Sequence, residues 1–264
     1  MRKYFTVFKT SWTNELAYRA NFFLGRFRSL VFLILLYYVF YHLSLGSGRF
    51  AGYQTQEILT YVFTVHLLRA LIFGNQSRAM ALEINDGTFS AYLVRPINYF
   101  WYVFFRELAV RVMYFACALI ELAVFSYFAK AAFIFLQSWK NFSLFCLTGA
   151  IAMFLYFLLS YLVSLLAFWS REAMGPRFLF EWFLEFSSGA FFPLDILSKA
   201  MLISFQFLPF AYLIYFPAKV YLGKWDFWQI ITGISIQAVW IFVISMLVFV
   251  AWKRGLRRYS GEGI

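Results

Sequence analysis

The sequence predicts an all-α polytopic membrane protein, with six transmembrane helices, an N-terminal interfacial amphipathic helix and a re-entrant helical hairpin before the last span. Three observations predict it. Of the 264 residues, 63% are apolar, against about 45–50% in a soluble domain. Charged residues reach only 13%, roughly half the usual share, too few to coat a water-exposed surface of this size. The apolar residues also fall in long runs, several of them near the roughly 20 residues that a membrane-crossing helix needs. Together these exclude a water-soluble enzyme, a secreted disulfide scaffold and a disordered tail. The net charge of +11 suits anionic lipid headgroups as partners. Nucleic acid is not expected, because no separate soluble domain carries a basic patch.

Residues 1–28 precede the first span. Within them Phe5, Phe8, Trp12, Leu16 and Phe23 recur at helical spacing over 3–25, and Arg2, Lys3, Lys9, Arg19 and Arg26 flank them. That pattern suits a helix lying in the headgroup plane with its aromatic face down; a helix packed on a soluble partner is the alternative. The remaining chain, 29–264, reads as one transmembrane domain. Its spans are expected at about 29–45, 58–73, 100–129, 142–169, 174–192 and 227–252. The stretch from Gly46 to Gly52 ends the first. The second is weakly hydrophobic because it contains His66 and Arg69. The third opens on Arg106, Glu107 and Arg111, the fourth stops at Ser170-Arg171-Glu172, and the sixth closes on Lys253, Arg254, Arg257 and Arg258. Lys130 to Asn141 is a short connector. The start of the chain lacks the pattern of a cleaved signal peptide, so the first span is expected to serve as the targeting signal. Cys117 and Cys146 sit inside apolar runs and read as small apolar filler.

Segment 193–224 is apolar but broken. Pro193, Pro209 and Pro217 fall in it, each removing a backbone donor and disfavouring one straight helix. A broken helix at membrane depth survives where protein shields its backbone, so a re-entrant hairpin is expected, with an extra pair of short spans as the alternative. Basic residues orient the chain. With both termini inside, 17 of the 23 Lys and Arg residues lie on the cytoplasmic side.

The usual catalytic signals are missing. The chain has no G-x-x-x-x-G-K-[ST] loop for nucleotide phosphates, no H-E-x-x-H and no G-x-S-x-G. Its two histidines, His42 and His66, are too few and too distant for a typical zinc site. The informative polar segment is the second cytoplasmic loop, 74–98. In it Asp86-Gly87 reads as a turn, Asp86 or Thr88 can cap a short following helix, and Pro96 stops that helix. A short exposed helix on that face is a docking device.

The stretch EINDGTFSAYLVRPINYFWY resembles the loop between spans two and three of ABC-2 type transporter permeases. The ending WKRGLRRYSGEG resembles the viologen-exporter-like subgroup of that family. The resemblance implies a permease subunit of an ATP-binding-cassette exporter that moves a hydrophobic or cationic amphiphilic substrate. It implies partners as well: a cytoplasmic ATPase subunit dimer and a second permease, identical or homologous. No cofactor is expected in this chain, with ATP and Mg in the ATPase. By the resemblance, Glu83, Asp86, Gly87, Thr88, Tyr92, Arg95 and Pro96 belong to the coupling helix that meets the ATPase. The location implied is the plasma (inner) membrane of a prokaryote.

The intramembrane acids stand apart from that resemblance. Glu121 lies about 15 Å into its span, Glu181 about 10 Å and Glu185 about 16 Å, at about 1.5 Å per residue. Such acids demand a partner. As a pathway lining, Glu121, Glu181, Glu185 and Arg69 would welcome a cation, helped by aromatic rings. As structural pairs, Arg177 would hold Glu181, and Arg69 would hold Glu121 or Glu185. Glu185 lies one turn beyond the reach of Arg177, which makes it the acid expected to need a non-structural partner. Two other classes compete with the exporter: a proton-coupled secondary transporter using Glu121 and Glu185, and a membrane-embedded enzyme.

The basic bias yields a topology test. A thiol introduced at Ser90 in a cysteine-free background should react with a membrane-impermeant reagent only after the cells are opened. Labelling in intact cells overturns the orientation.

Overall fold

The computed structural model describes residues 2–46, 48–74, 76–130, 138–170, 172 and 174–259. It is 83% helical with five to six apolar spans, so the protein is an all-α polytopic membrane protein. In order the elements are α1 (Arg2–Ala17), α2 (Arg19–Leu45), a two-stranded ribbon of β1 (Arg49–Phe50) and β2 (Tyr53–Gln54), α3 (Thr55–Ile72), α4 (Gln76–Asn85), α5 (Ser90–Leu93), α6 (Tyr99–Ala129), α7 (Trp139–Ser164), α8 (Met174–Ser187), α9 (Lys199–Phe207), α10 (Tyr215–Tyr221) and α11 (Phe227–Arg258). The interior of the connector, 131–137, lies outside the described residues, as do Arg171 and the last five residues of the chain.

The centre of the bundle is α3. Nearly every residue from Ile58 to Leu68 is buried, with α2, α6 and α7 packed around it. That suits the modest hydropathy of this stretch: α3 is buried along most of its length and can hold His66 and Arg69, whereas α11 shows Phe242, Met246 and Phe249 to the surroundings. Aromatic rings weld α2 to this centre, with Tyr37 stacked on Phe63 at 5.6 Å and edge-on to Phe125 at 5.0 Å.

Two boundaries differ from the sequence reading. The helix expected over 3–25 divides at Tyr18, whose φ of −88° and ψ of 54° break the ladder. The first long helix then begins at Arg19, ten residues before the expected Ser29. The cause is Arg26: read as an interfacial flank, it is buried against Glu121 of α6, and a paired charge need not end an apolar helix. The shorter α1 runs along the start of α6, with Tyr4 stacked on Phe105 at 5.5 Å and Tyr114 donating to Glu15 at 2.8 Å.

The fifth span, expected as 174–192, differs more. The 14 residues of α8 cover about 21 Å at 1.5 Å each, short of a hydrocarbon core of about 30 Å. The rest of the distance is covered by non-helical chain. Contacts down the central helix give the register: Glu181 meets Arg78, Glu185 meets Arg69, the Gly189 carbonyl meets Tyr61 and Asp195 meets Tyr53. Residues 177–195 thus run antiparallel to the chain from the start of α4 back through α3 to Tyr53. Gly189 has to be glycine. Its φ is +84°, and a Cβ there would lie 2.8 Å from both the Tyr215 Cβ and the Tyr61 hydroxyl.

From Asp195 the chain turns back. α9 descends until Phe210 packs on Phe183 and Phe180 of α8, and α10 climbs until Lys219 again reaches Asp195 at 2.8 Å. The two limbs bend by 81° at Leu208, where Pro209 begins a 3-10 turn. This is a hairpin that enters and leaves at one end of the bundle. Its backbone is shielded as the physics requires: Tyr215 donates to the Ser188 carbonyl at 2.8 Å, and buried Gln237 of α11 donates to the Tyr212 carbonyl at 2.9 Å.

Gly233 lets α11 close on this hairpin, since a Cβ there would sit 2.4 Å from the Phe216 ring. Gly233→Val should therefore lower stability by about 1–3 kcal/mol through overpacking, measured as the thermal midpoint in detergent. Gly46→Ala, where nothing lies within 4 Å, should leave the midpoint unchanged.

Candidate functional site

Polar residues gather in two places, a loop at the basic end of the bundle and a set of ion pairs within it. The loop begins as α4 ends, where Gly87 takes a φ of +75° and reverses the chain. Phe89 then inserts completely. Its ring meets Tyr99 at 4.9 Å, Tyr259 at 5.2 Å, Phe168 at 5.7 Å and Trp252 at 5.8 Å. The Tyr259 hydroxyl donates to the Gly87 carbonyl at 3.0 Å. On the same inner side, Glu83 accepts from the Tyr99 hydroxyl and from Arg106. Tyr92 stacks near Tyr102, and their hydroxyls are 3.2 Å apart. Burial, then that hydrogen bond and the Glu83 charge, push the Tyr92 phenol above its ordinary value, so it stays protonated.

The loop residues expected to act together therefore divide. Glu83 and Tyr92 face the bundle. Asp86, Thr88, Arg95 and Pro96 face outward, beside exposed Leu93 and Val94, the latter 84% accessible. Neither Asp86 nor Thr88 caps α5, contrary to expectation. The cap position is Phe89, with no side-chain cap; Ser90 instead donates to the Gly87 carbonyl at 2.7 Å, and Thr88 to the Glu83 carbonyl. With only four residues, α5 has few orphan amides, and the turn closes them by backbone bonds.

The intramembrane acids all carry protein cations. Glu121 takes both prongs of Arg26, at 2.8 and 2.6 Å, and lies 3.0 Å from His66 Nε2. Glu185 meets Arg69 at 3.0 Å. Arg177 does not reach it; of the two acids expected as partners of Arg69, Glu121 and Glu185, the structure selects Glu185, so this acid does not need the non-structural partner expected for it. Glu181 holds two cations, Arg177 at 2.8 Å and Arg78 at 2.9 Å. A further pair, Glu107–Arg111, is fully buried one turn apart on α6, beneath Gly74.

These pairs differ in surroundings. Arg26–Glu121 has side chains only 9% and 15% exposed, whereas Arg69–Glu185 shows 21% and 31%. Arg69 also lies over Phe32 at 4.5 Å, with Phe73 and Phe191 within 5.9 Å. The rings beside this acid already hold a cation of the protein. Around the pair, α8 presents Phe178, Leu179, Trp182 and Phe186 outward.

Two residue sets were not found by sequence reasoning. The buried Arg177 donates to Ser164 at 2.7 Å, Ser160 at 2.8 Å and Ser77 at 2.9 Å. The four-residue spacing of Ser160 and Ser164 within an apolar run was the available signal. At the far end, Tyr53 donates to Asp195 at 2.7 Å, and Lys219 donates to both at 2.8 Å. Burial, then Asp195, raise the Tyr53 phenol and keep its proton in place. Those partners are too distant in sequence to leave a local signal.

The family model described as ABC-2 family transporter protein matches residues 27–263. The chain belongs to the ABC-2 transporter family. No curated protein and no solved structure matches it. As a family member it is a multi-pass transport subunit and not itself the catalytic chain, and the segment it shares with the family contains the loop and the ion pairs except Arg26, which lies one residue before it.

The two pair environments predict different consequences. Glu121→Gln leaves Arg26 buried without its anion and should destabilise by on the order of 3 kcal/mol. Glu185→Gln disrupts a half-open pair and should cost about 1 kcal/mol or less. Thermal midpoints of the two variants check this, and equal midpoints contradict it.

Proposed function

We propose that this chain is the membrane-spanning subunit of an ATP-driven exporter for a hydrophobic or cationic amphiphilic substrate. It works with a second permease, identical or homologous, and with a cytoplasmic ATPase subunit dimer that supplies ATP and Mg. The membrane is the plasma (inner) membrane of a prokaryote, with both termini and the α4–α5 loop cytoplasmic. The basic bias supports that orientation. The C-terminal resemblance supports the viologen-exporter-like branch of the family.

One observation carries the reading: the two-faced loop. Its inner side is fastened to α6, α7 and α11 through Phe89, Glu83 and Tyr259, so a push on it moves the bundle. Its outer side offers Leu93, Val94, Asp86 and Arg95, an apolar patch with one charge of each sign. Such a surface fits a groove on a protein partner.

A second observation supports a pathway at the α3–α8 face. A partly exposed ion pair within a membrane-spanning bundle is poorly tolerated against lipid chains. Arg69–Glu185 is best accommodated where a second permease covers it or water fills a path beside it, with Glu181 one turn nearer the basic end. Glu121 contributes at its buried pair, by fixing α2 to α6. A proton-coupled mechanism is less favoured, because Glu121 and Glu185 are already occupied by guanidinium groups of the protein.

Val94→Asp tests the loop. The side chain is exposed, so the thermal midpoint should hold, while capture of the cognate ATPase falls at least about tenfold, the effect of burying an unpaired charge at an interface. Undiminished capture sinks the docking role.

A further inference from the structure

α4 and α8 stand at opposite ends of the proposed mechanism. α4 leads into the loop that meets the ATPase, and α8 borders the proposed path. The broad packing of α4 is with α6, α7 and the 3-10 turn that follows α7, and that of α8 is with the tip of the hairpin. Among the described residues, the hydrogen bonds and ion pairs given between α4 and α8 form one compact polar node. Arg177 of α8 donates to Ser77 of α4 at 2.9 Å, and Arg78 of α4 donates to Glu181 of α8 at 2.9 Å. The node has an anvil, the last turns of α7, because Arg177 also donates to Ser160 and Ser164, and Ser164 donates to the Ser77 carbonyl at 2.7 Å.

The chemistry of the node favours transmission over packing. Apolar surfaces can slide past one another with little change in energy, because burial has no direction. A guanidinium fork cannot: its donors point along fixed lines, and losing one within a buried site is expensive. Arg177 is 2% exposed and uses its Nε on Glu181 and its Nη atoms on three serines from two other helices. Glu181 is in turn shared between Arg177 and Arg78, so a shift of α4 pulls on α8 through both ends of one carboxylate–guanidinium bridge.

We propose that Arg177 is the positioning residue that passes movement of the α4–α5 loop to α8, through Ser77 and through the Glu181 it shares with Arg78. The proposal rests on the exporter reading above. Arg177 touches neither ATP nor substrate; it makes α8 follow α4.

The test uses the full permease–ATPase complex in liposomes, with Cys117 and Cys146 replaced by alanine. Arg177→Lys keeps the charge but loses the fork, and it can also disturb assembly. The deciding variant is therefore Ser77→Ala with Arg78→Gln, which cuts both α4–α8 ties and leaves Arg177 on Ser160, Ser164 and Glu181. Spin labels at Ser90→Cys and Leu179→Cys, each measured against Val239→Cys on α11, report the loop and α8 separately. In the parent complex both distances should change on ATP binding. In the double variant the loop distance should still change and the α8 distance should not. Movement of a lipophilic cationic dye per ATP hydrolysed should fall about tenfold, within the usual range for coupling between sites. ATPase capture should stay unchanged. A shift of α8 equal to that of the parent, or an unchanged dye-to-ATP ratio, overturns the proposal and leaves the node as packing. A parent complex that moves α8 but no dye refutes the cationic substrate class alone, and the α8 distance still decides the coupling. A parent that captures no ATPase refutes both.

Discussion

A charge within a hydrocarbon layer needs an opposite charge beside it, and the arrangement of this protein depends on that constraint. Arg26 and Glu121 fasten α2 to α6, Arg69 and Glu185 fasten α3 to α8, and Arg78, Arg177 and Glu181 fasten α4 to α8. Lys219 and Asp195 close the neck of the hairpin. Apart from Arg177–Glu181, which lies within α8, each pair joins different elements, so the pairs specify which helices are neighbours. Apolar packing alone does not discriminate as sharply, because a face of Phe and Leu is satisfied equally by protein or by lipid.

The pairs also grade from closed to open. Arg111–Glu107 is sealed within α6 and Arg26–Glu121 is nearly so, whereas Arg69–Glu185 is partly open beside the exposed aromatics of α8. A sealed pair has nothing further to meet, so its effect is rigidity. An open pair keeps capacity for further contacts, and it lies on the helix that polar bonds tie to α4. The architecture thus separates into a stiff frame of α2, α3, α6 and α7 and a lighter arm of α8 with the hairpin. That arm crosses the bundle partly as non-helical chain, whose polar backbone is satisfied by Tyr61, by Gln237 and by the hairpin itself.

Much of this was legible in the amino-acid sequence, and the reasons are local. Membrane character follows from composition, and the long helices from apolar runs whose length matches the bilayer. The break before the last span follows from Pro193 and Pro209, which begin 3-10 turns, because the loss of a donor depends on the residue alone; Pro217 falls in the first turn of α10, where no donor is needed. The turn at Gly87 follows from Asp86-Gly87, and Arg177–Glu181 from four-residue spacing on one helix. The resemblance of the loop to ABC-2 permeases agrees with the family match over residues 27–263.

What only the tertiary structure decided is which charge meets which. Arg26 looked like an interfacial flank and is instead the partner of a carboxylate 95 residues away. Arg69 was open to Glu121 or Glu185, and only the fold gives it Glu185. Phe89 was one aromatic among many until Tyr99, Phe168, Trp252 and Tyr259 closed around it. The helix expected to span at 174–192 becomes a 14-residue helix followed by turns and a short 3-10 segment, since a protein lining can replace the hydrogen bonds that lipid denies. The physical reason is the same throughout. Helices, turns and breaks are set by residues within a few positions of one another, whereas pairing across the bundle depends on distances that do not exist until the chain has folded.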